Sequence, residues 1–185
     1  TFTAFVSLRL TDAKVRVHQH KIAKPKQACN HDSNILCTHL PLISIDTGGK
    51  PIPGKLRDGS TINVDISIFD HPTANNHLTD SPTIVASANI RYRGHSSMHF
   101  DKKGYKIEFV HEDGSDKNIS LMGMDEHHEW ALHGPFLDKT LIRNYLWYNI
   151  AGEIMDYAAN TRFCELVVDG KYQGLYLAVE TITHS

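Results

Sequence analysis

No stretch of this chain approaches the ~18 consecutive apolar residues of a membrane-spanning helix. It also lacks a charge excess: 19 Lys and Arg against 21 Asp and Glu leave a net charge of -2 and a pI near 6.6. That balance gives no global argument for nucleic acid or an anionic membrane as partner. HExxH, CxxC and GxSxG spacings are all absent, so the sequence supports neither a zinc site of those types nor a hydrolase nucleophile elbow. There is no internal repeat and no low-complexity tract. No signal peptide is visible, but the first residue is Thr1 rather than methionine, which reads as a processed or trimmed chain.

Cysteine is scarce, at three residues. Cys29 and Cys37 flank a polar loop and could close a short disulfide in an oxidising compartment; the odd count does not settle the compartment. Cys164 sits in an apolar-polar alternation and reads as a buried core thiol. The thirteen histidines invite a metal reading. The densest group is His127 and His128 with Asp125, Glu126 and Glu129, but adjacent residues seldom converge on one ion. No metal site is assigned; His18 and His20 share a strand face and could take adventitious metal.

What remains is an ordinary globular composition, 185 residues with 41% hydrophobic and 22% charged, enough for one core and a small appendage. Residues 2–20 alternate and read as a β-hairpin; with a polar linker they form an appendage over residues 1–38. The core begins near Leu40 and runs over 39–185. TINVDISIF (61–69) alternates strictly, with Ile62, Val64, Ile66 and Ile68 on one face. TIVASANIRYR (83–93) and GYKIEFV (104–110) are further strands, the latter with Tyr105, Ile107 and Phe109 on one side. A helix is expected over 138–155, with Asp138 as N-cap and Leu141, Ile142, Tyr145, Leu146, Asn149 and Ile150 at helical spacing. RFCELVV and LYLAVETI follow as a hairpin about Asp169-Gly170. EWALHGPF, around Trp130, reads as core packing plus a turn. The expected class is α+β: one long helix packed on a largely antiparallel sheet.

The stretch IRYRGHSS…KKGYKIEF suits a phosphate-binding hairpin. Gly94 lets backbone approach an anion, Ser96 and Ser97 offer hydroxyls, and Lys103 or Lys106 supplies a point charge. The bland alternatives are turn serines and a solvated basic edge strand, the latter preferred for Lys106. Arg91 and Arg93 share a strand face and suit phosphate or a carboxylate. An ion pair with Glu108 or Asp65 fits them equally.

RGHSS, KKGYKIEF, LMGMDEHHEWALHGPFLDKTLIRNYL and ELVVDGKYQGLYLAVETI occur in an order that resembles the spore-coat protein H (CotH) kinase family. Members carry RGNSS or KGNST, PKKPYKIK, a WVLLGPYLDKTLLRN segment and a VELYLNGEYQGVYLLVEKI hairpin. The likeness covers about residues 40–182. It implies an atypical protein-kinase small lobe, ATP with Mg²⁺, phosphoryl transfer to protein Ser or Thr, and an extracellular or spore-surface location. Lys103 matches the KKPY lysine, and Arg93, Gly94, Ser96 and Ser97 match the glycine-serine loop. His95 stands where asparagine is usual, and Gly104 replaces a proline. Glu180 falls near the adenine hinge, with Gly174 and Tyr176 in the same hairpin. Asp138, Arg143 and Asn144 match DKT…RN in structural roles, Arg143 being expected to pair with Glu180. Glu153 is the nearest analogue of the kinase helix glutamate.

By the same resemblance the metal-holding aspartates are expected beyond Ser185, so the chain reads as the nucleotide-facing half of a larger kinase, itself inactive. The competing reading is a non-catalytic surface or structural module of the same fold; a coat or transport component stabilised by nucleotide is weaker. Expected partners are a protein substrate or a surface assembly partner. An apolar face uncovered near Val179 and Ile182 would favour self-association. Folds host many functions, so fold likeness alone does not separate these readings.

Overall fold

A computed structural model describes residues 36–54 and 59–181 of the chain. The expected 2–20 hairpin, His18, His20, Cys29 and Ile182 lie outside the described residues. Cys37 is disulfide-bonded, and Cys164 is free and buried.

The elements run in chain order as β1 (Cys37–Thr38), β2 (Leu42–Asp46), β3 (Ile62–Phe69), β4 (Asn76–His77), β5 (Ile84–Arg93), β6 (Gly104–Val110), β7 (Ile119–Ser120), β8 (Glu126–His127), β9 (Glu129–His133), α1 (Arg143–Ile154), β10 (Thr161–Val168) and β11 (Lys171–Glu180). A short 3₁₀ turn at Ser96–His99 separates β5 from β6. Seven strands close into a barrel in the order β10-β11-β9-β6-β5-β3-β2. Every pairing is antiparallel except the closing one, where β10 runs parallel to β2 with Glu165 opposite Leu42 and Val168 opposite Ile45.

This corrects the expected α+β small lobe with one long packed helix. The protein is mostly β, and its single described helix is 12 residues. Closure also overturns the edge-strand reading of Lys106. β6 is hydrogen-bonded on both sides, by β5 and β9, and a closed barrel has no edge to protect.

The period-two pattern decides what fills the barrel. Val64, Ile66 and Ile68 of β3, Tyr105, Ile107 and Phe109 of β6, and Cys164 and Leu166 of β10 are buried in one cluster with Trp130 and Leu132 of β9. Each large side chain so buried contributes about 1.5–3 kcal/mol. Burial raises the Cys164 thiol to about 12, with the Glu165 charge adding to it, so it stays a neutral core group. The β10–β11 turn has Asp169 at φ 49 and Gly170 at φ 73, the positive pair that a type I′ turn needs. The Asp169 carboxylate accepts from the Thr47 N–H at 2.8 Å and the Thr47 hydroxyl at 2.9 Å, which ties the turn to the end of β2.

α1 starts later than expected. Ile142 is its N-cap residue and Leu141, at φ 62, breaks any helical path back to Asp138. Asp138 still serves the helix start from outside: its carboxylate accepts the Arg143 N–H at 2.9 Å and the Thr140 hydroxyl at 2.6 Å. The helix meets the barrel through Tyr145 and Tyr148, packed with Ala131, Leu177, Val179 and Phe163. Leu146 and Ile150, two of the residues at helical spacing, are exposed. Val179 is buried rather than uncovered, so the free apolar surface sits on α1.

Candidate functional site

Alternation puts a second set of side chains on the outside of the barrel. Strand register lines up Arg91, Lys106, Ala131 and Val179 as one outer row, and Asn89, Glu108 and Glu129 as the next. Between this face and α1 lies a cavity of about 480 Å³, within the range of small-molecule sites. Its walls are Ala131 and Val179 of the barrel, Tyr148 and Ala151 of α1, and Met155, Tyr157 and Ala159 of the segment that follows the helix. Polar groups flank Ala131 along the strand. On one side are His133, Arg93 and Asn144; on the other are Glu129, Glu180 and Thr181.

Arg93 ends β5 with its side chain exposed. The carboxylates considered for it are engaged elsewhere: Glu108 holds Lys106 at 2.6 Å, and Asp65 accepts from the Ser87 hydroxyl. Among the described residues Arg93 has no ion pair. Its charge, with that of Lys102, adds to burial in pushing the His133 pKa down, against a smaller opposite pull from Asp138. His133 is therefore a neutral donor or acceptor beside a cation at neutral pH.

Lys106 stands in the same outer row as Ala131, clamped by Glu108 and by Glu129 at 2.8 Å. Burial opposes its charge, but the hydrogen bonds it donates to the two carboxylates prevail and raise its pKa above 10.5. A raised lysine pKa stabilises the fold below the unfolded value, and that stability is lost as pH rises through the folded value. Urea midpoints from pH 9 to 12 are expected to fall for the native chain, and Lys106→Met is expected to flatten that part of the fall.

The glycine-serine loop continues from Arg93. Gly94 has φ +125, and a β-carbon there would stand 2.0 Å from the Ser97 hydroxyl oxygen. Gly94→Ala is expected to cost about 1–3 kcal/mol, read as a lowered thermal midpoint. Lys103 does not reach the cavity wall. Its ammonium donates to the Met98 carbonyl at 2.8 Å, and its own carbonyl accepts from the Tyr176 hydroxyl at 2.9 Å. Phe100 stacks on Phe136 at 5.0 Å. These contacts brace the loop, with Ser96 and Ser97 in its 3₁₀ turn.

Of the expected nucleotide residues, the structure brings Arg93 and Glu180 to the cavity. It sets Gly94, Ser96, Ser97 and Lys103 on the adjoining loop. Asn144 lines the cavity too. Arg143 does not pair with Glu180. Its guanidinium is exposed and 3.9 Å from Asp138, while Glu180 is buried against Asn160. Glu153 is exposed on α1, and the Lys103 ammonium is held by the Met98 carbonyl. Sequence reading missed His133, Tyr148, Ala151 and Met155. The signal for His133 was present in EWALH, where Glu129, Ala131 and His133 alternate outward.

Among the described residues no three His, Cys, Asp or Glu side chains are grouped to hold a metal ion. His127 instead packs edge-on against Trp130. No helix among the described residues is long and apolar enough to cross a membrane.

The family model described as CotH kinase protein matches residues 90–185. The match begins inside β5 and takes in the glycine-serine loop, β6, β9, α1 and the β10–β11 hairpin, all the elements that wall the cavity. No curated protein matches the chain. More than half of the sequence lies in the match, and the chain belongs to the CotH kinase protein family.

Proposed function

We propose that residues 39–185 form the nucleotide-binding portion of a CotH-type protein kinase, transferring the ATP γ-phosphoryl group to a protein Ser or Thr at a cell or spore surface. One juxtaposition carries the reading. An exposed arginine with no carboxylate partner among the described residues stands at the rim of an apolar-walled groove, next to a braced Gly-Ser loop, inside the family match. The apolar walls suit a base, and Arg93 suits phosphate oxygens, which it can fork. Ser96, Ser97 and the backbone around Gly94 add neutral donors. Lys103 acts through the loop it braces, and Glu180 through the strand end it fixes.

Phosphoryl transfer depends on positioning and charge neutralisation. The described residues fit the nucleotide and not a protein-held metal, so no step is assigned to a bound ion. Magnesium would enter on the phosphates, supplying charge neutralisation there. A second reading is a non-catalytic module of the same fold, with a surface assembly partner. It is favoured by the tied Lys103 ammonium, which is spent on the Met98 carbonyl of its own loop.

Incubation of the full-length gene product with Mg²⁺, γ-labelled ATP and a mixed acidic and basic protein acceptor separates the two. Label on Ser or Thr, reduced by Arg93→Ala, is the expected result for a kinase. Nucleotide binding without transfer would support the module.

A further inference from the structure

The solvent-facing arc of α1 is more apolar than its barrel-facing side. Ile142 is 53% exposed, Leu146 50%, Trp147 62%, Ile150 37% and Ile154 77%. At 100° per residue they fall within an arc of about 140°. Their exposed area is on the order of 600 Å², near the ~800 Å² that one partner gives to a stable interface. The only charges on this arc are Arg143, near its start, and Glu153, near its end.

The arc reads the same from both ends. About position 148, Ile142 mirrors Ile154, Leu146 mirrors Ile150, and Arg143 mirrors Glu153. A two-fold axis through that point runs two copies of α1 antiparallel. Apolar residues then meet apolar ones, and each Arg143 meets the other copy's Glu153. Isologous contacts require this self-complementarity, and a parallel arrangement would instead set like charges together. Arg143 is held only loosely in the single chain, 3.9 Å from Asp138 and largely exposed. The cavity lies on the opposite side of α1, so this pairing leaves the groove open.

We propose that α1 is the interface of an antiparallel, two-fold homodimer. The occupant of the stripe is a second copy of the same chain, independent of whether the groove binds nucleotide.

Sedimentation equilibrium of the 185-residue chain over a range of concentrations tests this. The expected result is a monomer–dimer equilibrium that Leu146→Glu weakens at least about tenfold, with an unchanged far-ultraviolet circular dichroism spectrum. Leu146 is half-exposed, so this substitution leaves the core intact; Ile154→Glu provides a second, independent disruption. Arg143→Glu and Glu153→Arg should each weaken the dimer, and the double variant should recover it. A monomer at every concentration would overturn the proposal, as would a dimer indifferent to Leu146→Glu and Ile154→Glu. Failure of the double variant to recover would overturn the antiparallel register. A stripe covered by a different protein would appear as the monomer result.

Discussion

Trp130→Ala is expected to destabilise the protein by about 3–5 kcal/mol, the usual cost of truncating a fully buried tryptophan. Trp130 has no exposed surface and is among the largest side chains inside the barrel. Its indole N–H donates to the His127 carbonyl at 3.0 Å. Truncation therefore opens a cavity in the shared core of several strands and strips that carbonyl of its donor. The other tryptophan makes an internal control. Trp147 is mostly exposed on α1, so Trp147→Ala should stay within ~0.5 kcal/mol in dilute solution. Urea unfolding followed by circular dichroism reads both. Similar losses for the two variants would mean that the barrel core is wrongly assigned.

Glu180 carries the second large effect. It is buried, and its carboxylate accepts from the Asn160 N–H at 2.8 Å and the Asn160 side-chain amide at 2.9 Å. Its own N–H donates to the Asn160 carbonyl at 3.2 Å. A buried carboxylate is tolerated only when paired in this way. Glu180→Ala removes the acceptor for two buried donors and should cost about 3 kcal/mol. Glu180→Gln keeps one acceptor oxygen and should cost about half as much. MgATP affinity separates a scaffold from a contact. If Glu180 acts by holding the 158–160 segment against β11, the folded Gln variant binds within about threefold of the native chain. A far larger loss in that variant would make Glu180 a direct nucleotide contact.

The strands were legible where one face is buried and the other wet. β3, β6 and the β10–β11 hairpin follow from alternation plus an Asp-Gly turn, and Cys164 and Trp130 were correctly placed in the core. β9 escaped because Trp130, Ala131 and Leu132 are all buried, two toward the barrel interior and one under α1. No alternation survives such two-sided burial. Closure was illegible for another reason. The parallel β10–β2 pairing joins residues more than a hundred positions apart, and no local pattern encodes a long-range partner. The helix failed in an instructive way. Its spacing announced an apolar stripe, and that was right. Spacing does not say what covers a stripe, and the barrel takes the other side, through Tyr145 and Tyr148.

The site divides along the same line. Arg93 and its glycine-serine loop are contiguous in sequence and were found there. The groove exists only because β9, β11 and α1 converge, which sequence order hides. Lys106 was read as an edge lysine for want of closure; once β6 is central, its two carboxylate partners follow from register.

The most direct test of the groove is calorimetric titration of MgATP into the native chain, Arg93→Ala and Ala151→Trp. Ala151 lines the cavity from α1, and an indole there fills the space without entering the barrel. The account predicts saturable one-site binding, weakened at least about tenfold by Arg93→Ala and abolished by Ala151→Trp. Absence of binding by the native chain, or binding that ignores both substitutions, would contradict it.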